Sequence, residues 1–176
     1  MVAKKIQIHR ITNANIYLAD NNMLGRATEI KLPDITAVMT EHKMLGMLGK
    51  IELPTGGFDK LEGEIKWNSF YEDAWESVLN PFDTIALQCR SAIDVYDSTG
   101  RKEQKSMVTH LSVIFKKNPM GTYKQNENAE FSSAYEALSI RQLIDGQEVL
   151  NIDYLANIFE VAGNDQIARY REIIGG

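Results

Sequence analysis

Three histidines (His9, His42 and His110), a single cysteine (Cys89) and a scatter of carboxylates are the residues of this 176-residue chain whose types could support catalysis or metal binding. Their spacing argues against both. No HExxH pair places two imidazoles on one helix face and no second ligand lies close by, so a metal site lacks its donors and the histidines are expected at the surface. Cys89 alone makes neither an intrachain disulfide nor a thiolate cluster, which suits a reducing compartment. Residues 44–50, MLGMLGK, end in Gly-Lys, but the first glycine of a phosphate loop is missing and Ile51 stands where its Ser or Thr would be. Asp20, Asp34, Glu41, Asp59, Glu62 and Glu64 fall near expected turns and strand ends, where solvation accounts for them, and no GxSxG elbow offers a serine nucleophile. The expectation is a protein that is not an enzyme, with no metal and no cofactor.

The elements that carry these residues read mainly as strands. In residues 84–96 the apolar Ile85, Leu87, Cys89, Ile93 and Val95 alternate with Gln88, Arg90 and Asp94, the pattern of a half-buried strand. Turn chemistry at residues 97–100 leads into a second strand with Met107, Leu111, Val113 and Phe115. A third, over residues 130–144, places Phe131, Tyr135 and Leu143 on one face and Ala134, Leu138 and Ile140 on the other. Shorter strands are expected at residues 15–19, 26–32, 34–41 and 61–67. Asp145-Gly146 marks a hairpin turn. Ser69-Phe70-Tyr71-Glu72 reads as a capping box for a helix whose stripe is Tyr71, Ala74, Trp75, Val78 and Leu79. Trp67 and Trp75 are expected as core anchors. Residues 154–162 fit no single period, and Asn164 is placed to cap a last helix, residues 164–174, with Ile167, Tyr170 and Ile174 in one stripe and Asp165 paired to Arg169.

Between the shorter strands lies the segment that most needs explaining. In residues 42–57, HKMLGMLGKIELPTGG, the apolar Met44, Leu45, Met47, Leu48 and Ile51 are interrupted by Gly46, Gly49, Gly56 and Gly57, which deny a stable helix, and Pro54 limits strand pairing. Such an apolar loop either folds back over its own sheet as a lid or meets another protein. The chain has the length and the 44% hydrophobic content of one domain, residues 1–176, with no run long enough to span a membrane and no signal-peptide core at its start. A net charge of −5 does not favour general binding to nucleic acid.

The order of these features resembles the major tail tube proteins of contractile-tailed phages over residues 11–175. The matching landmarks are Asn15-Ile16-Tyr17-Leu18, Glu29-Ile30-Lys31-Leu32-Pro33, Gly46-Met47, Asp145-Gly146-Gln147-Glu148-Val149, Ile152-Asp153 and the closing Arg171-Glu172-Ile173-Ile174-Gly175. Where members commonly carry Asn-Gly-Val-Asp, this chain has Ala162-Gly163-Asn164-Asp165, and its Met44 to Glu52 stretch is more apolar than the family's.

The resemblance implies a β-sandwich or small barrel of antiparallel strands with a flanking helix and a long β-hairpin-like loop. It implies six-membered rings stacked into a hollow tube that conducts DNA through a contractile sheath. Met44, Leu45, Gly46, Met47, Leu48, Gly49 and Ile51 would then make inter-ring contacts, and Tyr17, Ile167, Tyr170 and Ile174 would touch neighbouring subunits. Gln88, Arg90, Asp94, Ser112, Ser132 and Glu136 would face a lumen with few strong cation contacts to DNA in transit. The implied partners are further copies of the chain, the sheath, baseplate and tail terminator proteins, and a tape measure protein in the lumen, with no membrane binding by the subunit. The implied location is the virion tail, after synthesis in the bacterial host cytoplasm. The inner tube of a phage-derived bacteriocin or other contractile injection system carries the same pattern. A small-molecule or glycan-binding β-domain, using Trp67 or Trp75 and the glycine loop as a lid, is the alternative of a different class.

Overall fold

The computed structural model describes residues 6–46 and 48–175; Met47, placed above in the assembly loop, lies outside the described residues. Long alternating segments pair in sequence. Strands β1 (Ile8–Leu18), β7 (Ile85–Asp97), β8 (Gly100–Lys117), β9 (Phe131–Ile144) and β10 (Gln147–Asp153) are successive antiparallel neighbours. The short β11 (Ile158–Val161) and β12 (Asn164–Asp165) extend one side, and the two-residue β2 (Asn21–Asn22) ends the other. β9 is shared between two branches. Its first half pairs with β6 (Leu61–Trp67), which pairs in turn with β3 (Ala27–Lys31), and its second half pairs with β10.

This fork wraps the sheet around one core, in which Leu18, Leu61, Ile65, Leu87, Val113, Phe115 and Tyr135 are buried together. Helix α1 (Glu72–Val78) closes it with Ala74, Trp75 and Val78. Both tryptophans are core residues: the Trp67 indole N–H donates to Ser133 Oγ at 3.1 Å, and Trp75 stacks on Phe70 with ring centroids 5.3 Å apart. Cys89 is buried and unpaired, and burial pushes its thiol pKa up, away from reactive thiolate. All three histidines are exposed, as expected.

Several local expectations fail for identifiable reasons. On β9, Ile140 joins Phe131, Tyr135 and Ala137 in the core, not the opposite face, and Leu143 turns outward. The register steps from Ser112↔Ser139 to Val113↔Ala137, so Leu138 is an extra residue and the alternation changes phase there. Ser69 does not cap α1. The N-cap is Tyr71, without a side-chain cap, and the entry is set by Phe70 on Trp75, by the Tyr71 hydroxyl bonded to Asn68 Oδ1 at 2.6 Å, and by an Arg26–Asp73 ion pair of 2.5 Å. Asn164 does not cap the last helix, α2 (Ala168–Ile174); it lies in β12, and Asp165 Oδ1 accepts from the Ile167 N–H at 3.0 Å instead. Asp165 pairs with Arg171, not Arg169, which pairs with Glu172 at 2.9 Å. The ambiguous residues 154–162 divide into a turn and β11.

Candidate assembly surfaces

The segment whose composition reads as an apolar loop is a β-hairpin, as the family resemblance implied. Among the described residues, strands β4 (Ala37–His42) and β5 (Ile51–Phe58) pair only with each other and form a two-stranded sheet apart from the main one. Pro54, expected to limit pairing, sits in β5 opposite Met39. An isolated two-stranded ribbon is open at both edges, where a missing N–H costs little. The register shifts between Met39↔Pro54 and Ala37↔Phe58, and within that irregular stretch of β5 Gly56 has φ +88°.

Every side chain of the two strands except Phe58 is exposed. At the tip Leu45 and Leu48 are 107% and 110% exposed, Met44 is 62% exposed, and Gly46 supplies the left-handed turn at φ +86°. Glu41 reaches both Lys43, at 2.9 Å, and Lys50, at 3.3 Å, across the root of the tip. The base is anchored. Phe58 meets Phe159 edge-on at 4.8 Å, the Tyr154 hydroxyl donates to the Asp59 carbonyl at 2.6 Å, and the Asp59 N–H donates to the Thr36 carbonyl at 2.9 Å. Burial, then the nearby Asp59 and Glu136, push the Tyr154 phenol pKa up, so it remains a donor. A ribbon held at one end with no core of its own is not independently stable in water, and its apolar tip remains to be covered.

The six polar residues expected to face a lumen lie on one side of the sheet. Gln88, Arg90 and Asp94 on β7, Ser112 on β8, and Ser132 and Glu136 on β9 all lie on the sheet face opposite the core. A register row crosses this face through Tyr17, Gln88, His110, Arg141, Asn151 and Glu160. Several of its cations are engaged: Arg90 Nε donates to Gln88 Oε1 at 2.7 Å and lies 4.8 Å over the Tyr17 ring, while Arg141 pairs with Glu148 at 2.5 Å. Lys66 holds Glu29 at 2.8 Å, and Lys116 holds Glu62 and Glu136. Burial, then Arg141 and Arg90, hold the His110 pKa below its ordinary value, favouring the neutral ring.

Tyr17, expected among the contacts between subunits, lies in this polar row, away from the carboxy-terminal residues. Tyr170 and Ile174 are exposed on α2, which buries none of its side chains, and Ile167 is half-buried beside the hairpin base. Sequence reasoning missed Ile35, Val38, Met39 and Leu53, which extend the exposed apolar surface down the hairpin, and Ile173 on α2. The signal was available: Val38 and Leu53 belong to extended segments that had no further strand to cover them.

A wrapped antiparallel sheet with one closed core, a solvated polar face and a projecting apolar ribbon defines a protein built to associate through its surfaces. Solved structures share the fold. A chain of the sheath–tube complex of PVC, an extracellular contractile injection system, in its extended state matches with TM-score 0.51 and 12% identity over 74% of this chain and 87% of that one. A chain of the PVC sheath/tube terminator in the extended state matches with TM-score 0.53 and 14% identity over 81% and 99%. No curated protein matches the sequence. The family model for the phage tail tube protein FII matches residues 8–175, and the chain belongs to that family of structural tail tube proteins.

Proposed function

We propose that this chain is the repeating subunit of a contractile tail tube, with no catalysis of its own, assembling as six-membered rings that stack through the β4–β5 hairpin. The observation that carries the reading is the hairpin itself: all but its Phe58 is exposed, its tip is apolar, and among the described residues it is tethered at its base. Burying Leu45, Leu48 and Met44 on a neighbouring ring contributes about 1.5–3 kcal/mol per side chain before ordering costs of about 0.5–1.5 kcal/mol each. Ile167, Tyr170 and Ile174 add contacts between subunits. The polar face that carries Gln88, Arg90, Asp94, Ser112, Ser132 and Glu136 lines the lumen, beside a tape measure protein before ejection and beside DNA during it. Because Arg90, Arg141, Lys66 and Lys116 already have partners on that face, part of the positive charge that a passing duplex meets is committed, with Arg10 opposite Asp94 and Lys117 opposite Ala134 remaining, which favours sliding over holding. Sheath, baseplate and terminator are its protein partners, and the host cytoplasm is where it assembles.

Electron microscopy of the purified protein, with and without a tube-end nucleus, tests this reading. The wild type should form hollow tubes with six-fold end views. The Leu45→Asp/Leu48→Asp variant should stay a folded monomer; tubes of normal length from it would overturn the hairpin's role, and failure of the wild type to assemble even from a nucleus would overturn the tube reading.

A further inference from the structure

The hairpin leaves the body through an irregular joint. Between Met39↔Pro54 and Ala37↔Phe58, the three β5 residues Thr55, Gly56 and Gly57 oppose the single β4 residue Val38. On the ribbon side the joint is bounded by the Thr55 hydroxyl, which donates to the Val38 carbonyl at 3.0 Å, and on the body side by the Asp59 N–H on the Thr36 carbonyl at 2.9 Å. A Cβ added at Gly56 meets nothing within 4 Å, and one at Gly57 meets only Thr55 Oγ1, at 3.9 Å. Close packing therefore does not require glycine here. Gly56 serves the left-handed backbone, at φ +88°, and a pair of unpacked glycines in a bulge is where a ribbon bends most easily.

The glycines face a seat that is not part of the hairpin. A cavity of about 160 Å³ is bordered by Gly56 and Gly57 of the joint and by Tyr154, Asn157, Phe159 and Ile167, which belong to the β10–β11 connection and the entry to α2. Asn157 has φ +53°, a conformation that needs support, and Arg171 of α2 donates to its carbonyl at 2.7 Å. The same guanidinium pairs with Asp165, whose Oδ1 accepts from the Ile167 N–H at 3.0 Å. The Ile167 N–H first, and Arg171 after it, hold the Asp165 carboxyl below its ordinary pKa, so it is charged near neutrality. Helix α2 buries none of its side chains, and among the described residues the contacts of Arg171 are its polar ties to the rest of the chain. One arginine thus fixes both the turn and the helix entry that border the joint.

We infer that Gly56-Gly57 is a hinge for the β4–β5 hairpin and that α2 is its latch, with Arg171 positioning the seat and so setting the hairpin's resting angle. With the latch in place, Asn157 and Ile167 limit the swing of the ribbon. When α2 is drawn off, Asn157 loses its partner and the seat loosens, while Phe58 on Phe159 and the Tyr154 hydroxyl on the Asp59 carbonyl keep the root attached. The hinge therefore moves the ribbon without detaching it. Coupling of this kind is reciprocal, so whatever fixes the hairpin also steadies α2. The inference is a property of the single subunit and goes beyond the tube reading. To that reading it adds that a partner taken up at Tyr170 and Ile174, both exposed on α2, changes the angle at which the hairpin is offered.

The test reads the hairpin's angle in the dilute monomer. Nitroxide labels on Leu45→Cys at the tip and Glu76→Cys on α1 report a distance distribution by double electron–electron resonance, and buried Cys89 is not labelled. Arg171→Ala should broaden that distribution about twofold while leaving the urea midpoint of the core in place. Arg169→Ala, which loses only a pair with Glu172 on the helix surface, should leave it unchanged. An unchanged distribution in Arg171→Ala overturns the latch, and so does equal broadening by both variants, which would trace the effect to the helix in general. Should Arg171→Ala not fold by circular dichroism, the coupling is read in reverse, with one label moved to Ile174→Cys on α2. Phe58→Ala should then broaden the α2 distribution, and an α2 that does not respond overturns the coupling. Because every readout is taken on the monomer, failure of the latch and failure of the wild type to form tubes are separate results.

Discussion

The β4–β5 hairpin and the crossing of β6 with β9 around Tyr135 are both antiparallel pairs, yet they hold extended backbone by opposite means. In the hairpin the ladder is nearly all there is: two strands, no third neighbour, side chains in solvent. At the crossing, Gly63 lies opposite Tyr135, whose side chain is fully buried across the glycine and donates its hydroxyl to the Lys31 carbonyl at 3.0 Å. One region is stabilised within the subunit, whereas the other has its apolar side chains exposed and, under the proposed function, is covered by a second copy. On that reading a single chain divides the work of folding and the work of association between parts that barely overlap.

The contrast is most severely tested at Gly63. A Cβ built there comes 2.6 Å from the Lys31 carbonyl oxygen and closer still to the Tyr135 ring, and neither neighbour is free to retreat: one is backbone in a ladder, the other a buried aromatic. Gly63→Ala should destabilise the subunit by about 3 kcal/mol or more, since overpacking of this kind costs that much where nothing relaxes. Urea unfolding of the monomer measures it. A cost as small as that of Leu45→Asp would erase the distinction between the regions. Next in size is Tyr135→Phe, which keeps the ring and removes one hydrogen bond. Burial pushes the Tyr135 phenol pKa well up, so it is a permanent donor, and its loss should cost about 1 kcal/mol in the same measurement.

Much of the first region could be read from residue order. The alternation of Ile85, Leu87, Cys89, Ile93 and Val95, and the Asp145-Gly146 turn with φ of 50° and 77°, fixed β7 and the β9–β10 hairpin because period and turn chemistry are local properties. What escaped was set by tertiary packing. The phase change at Leu138 depends on the partner strand, the helix entry at Tyr71 depends on Trp75 and Arg26, and the Asp165–Arg171 pair depends on where β12 ends. For the second region, composition disclosed an apolar segment seeking cover. Composition alone did not disclose β5, because Pro54 and four glycines argue against a strand that, among the described residues, pairs with β4 alone; the family resemblance is what pointed to a hairpin.

The polar face opposite the core is a third kind of region, and it tunes the comparison at the smallest scale. His110 faces Gln88 on one side and Arg141 on the other, with its ring nitrogens 3.0 and 3.3 Å from the Gln88 amide nitrogen and Arg90 beyond. Its pKa lies below the ordinary value of about 6.5 when folded and returns to that value when unfolded. Between those two values the unfolded chain binds the proton and the folded chain does not, so lowering pH favours unfolding. The contribution should therefore be absent above about pH 6.5, grow as pH falls through that point, and level off once the folded imidazole also protonates. His110→Gln should flatten that part of the stability profile while leaving the midpoint at pH 8 nearly unchanged. Monomer urea midpoints at successive pH values, variant against wild type, read the difference. Because the effect comes from desolvation and two guanidinium groups, bringing further arginines near in an assembled tube should push the pKa lower still. A histidine that instead titrated at or above its ordinary value would mean that the carboxylates of this face, rather than Arg90 and Arg141, govern its potential.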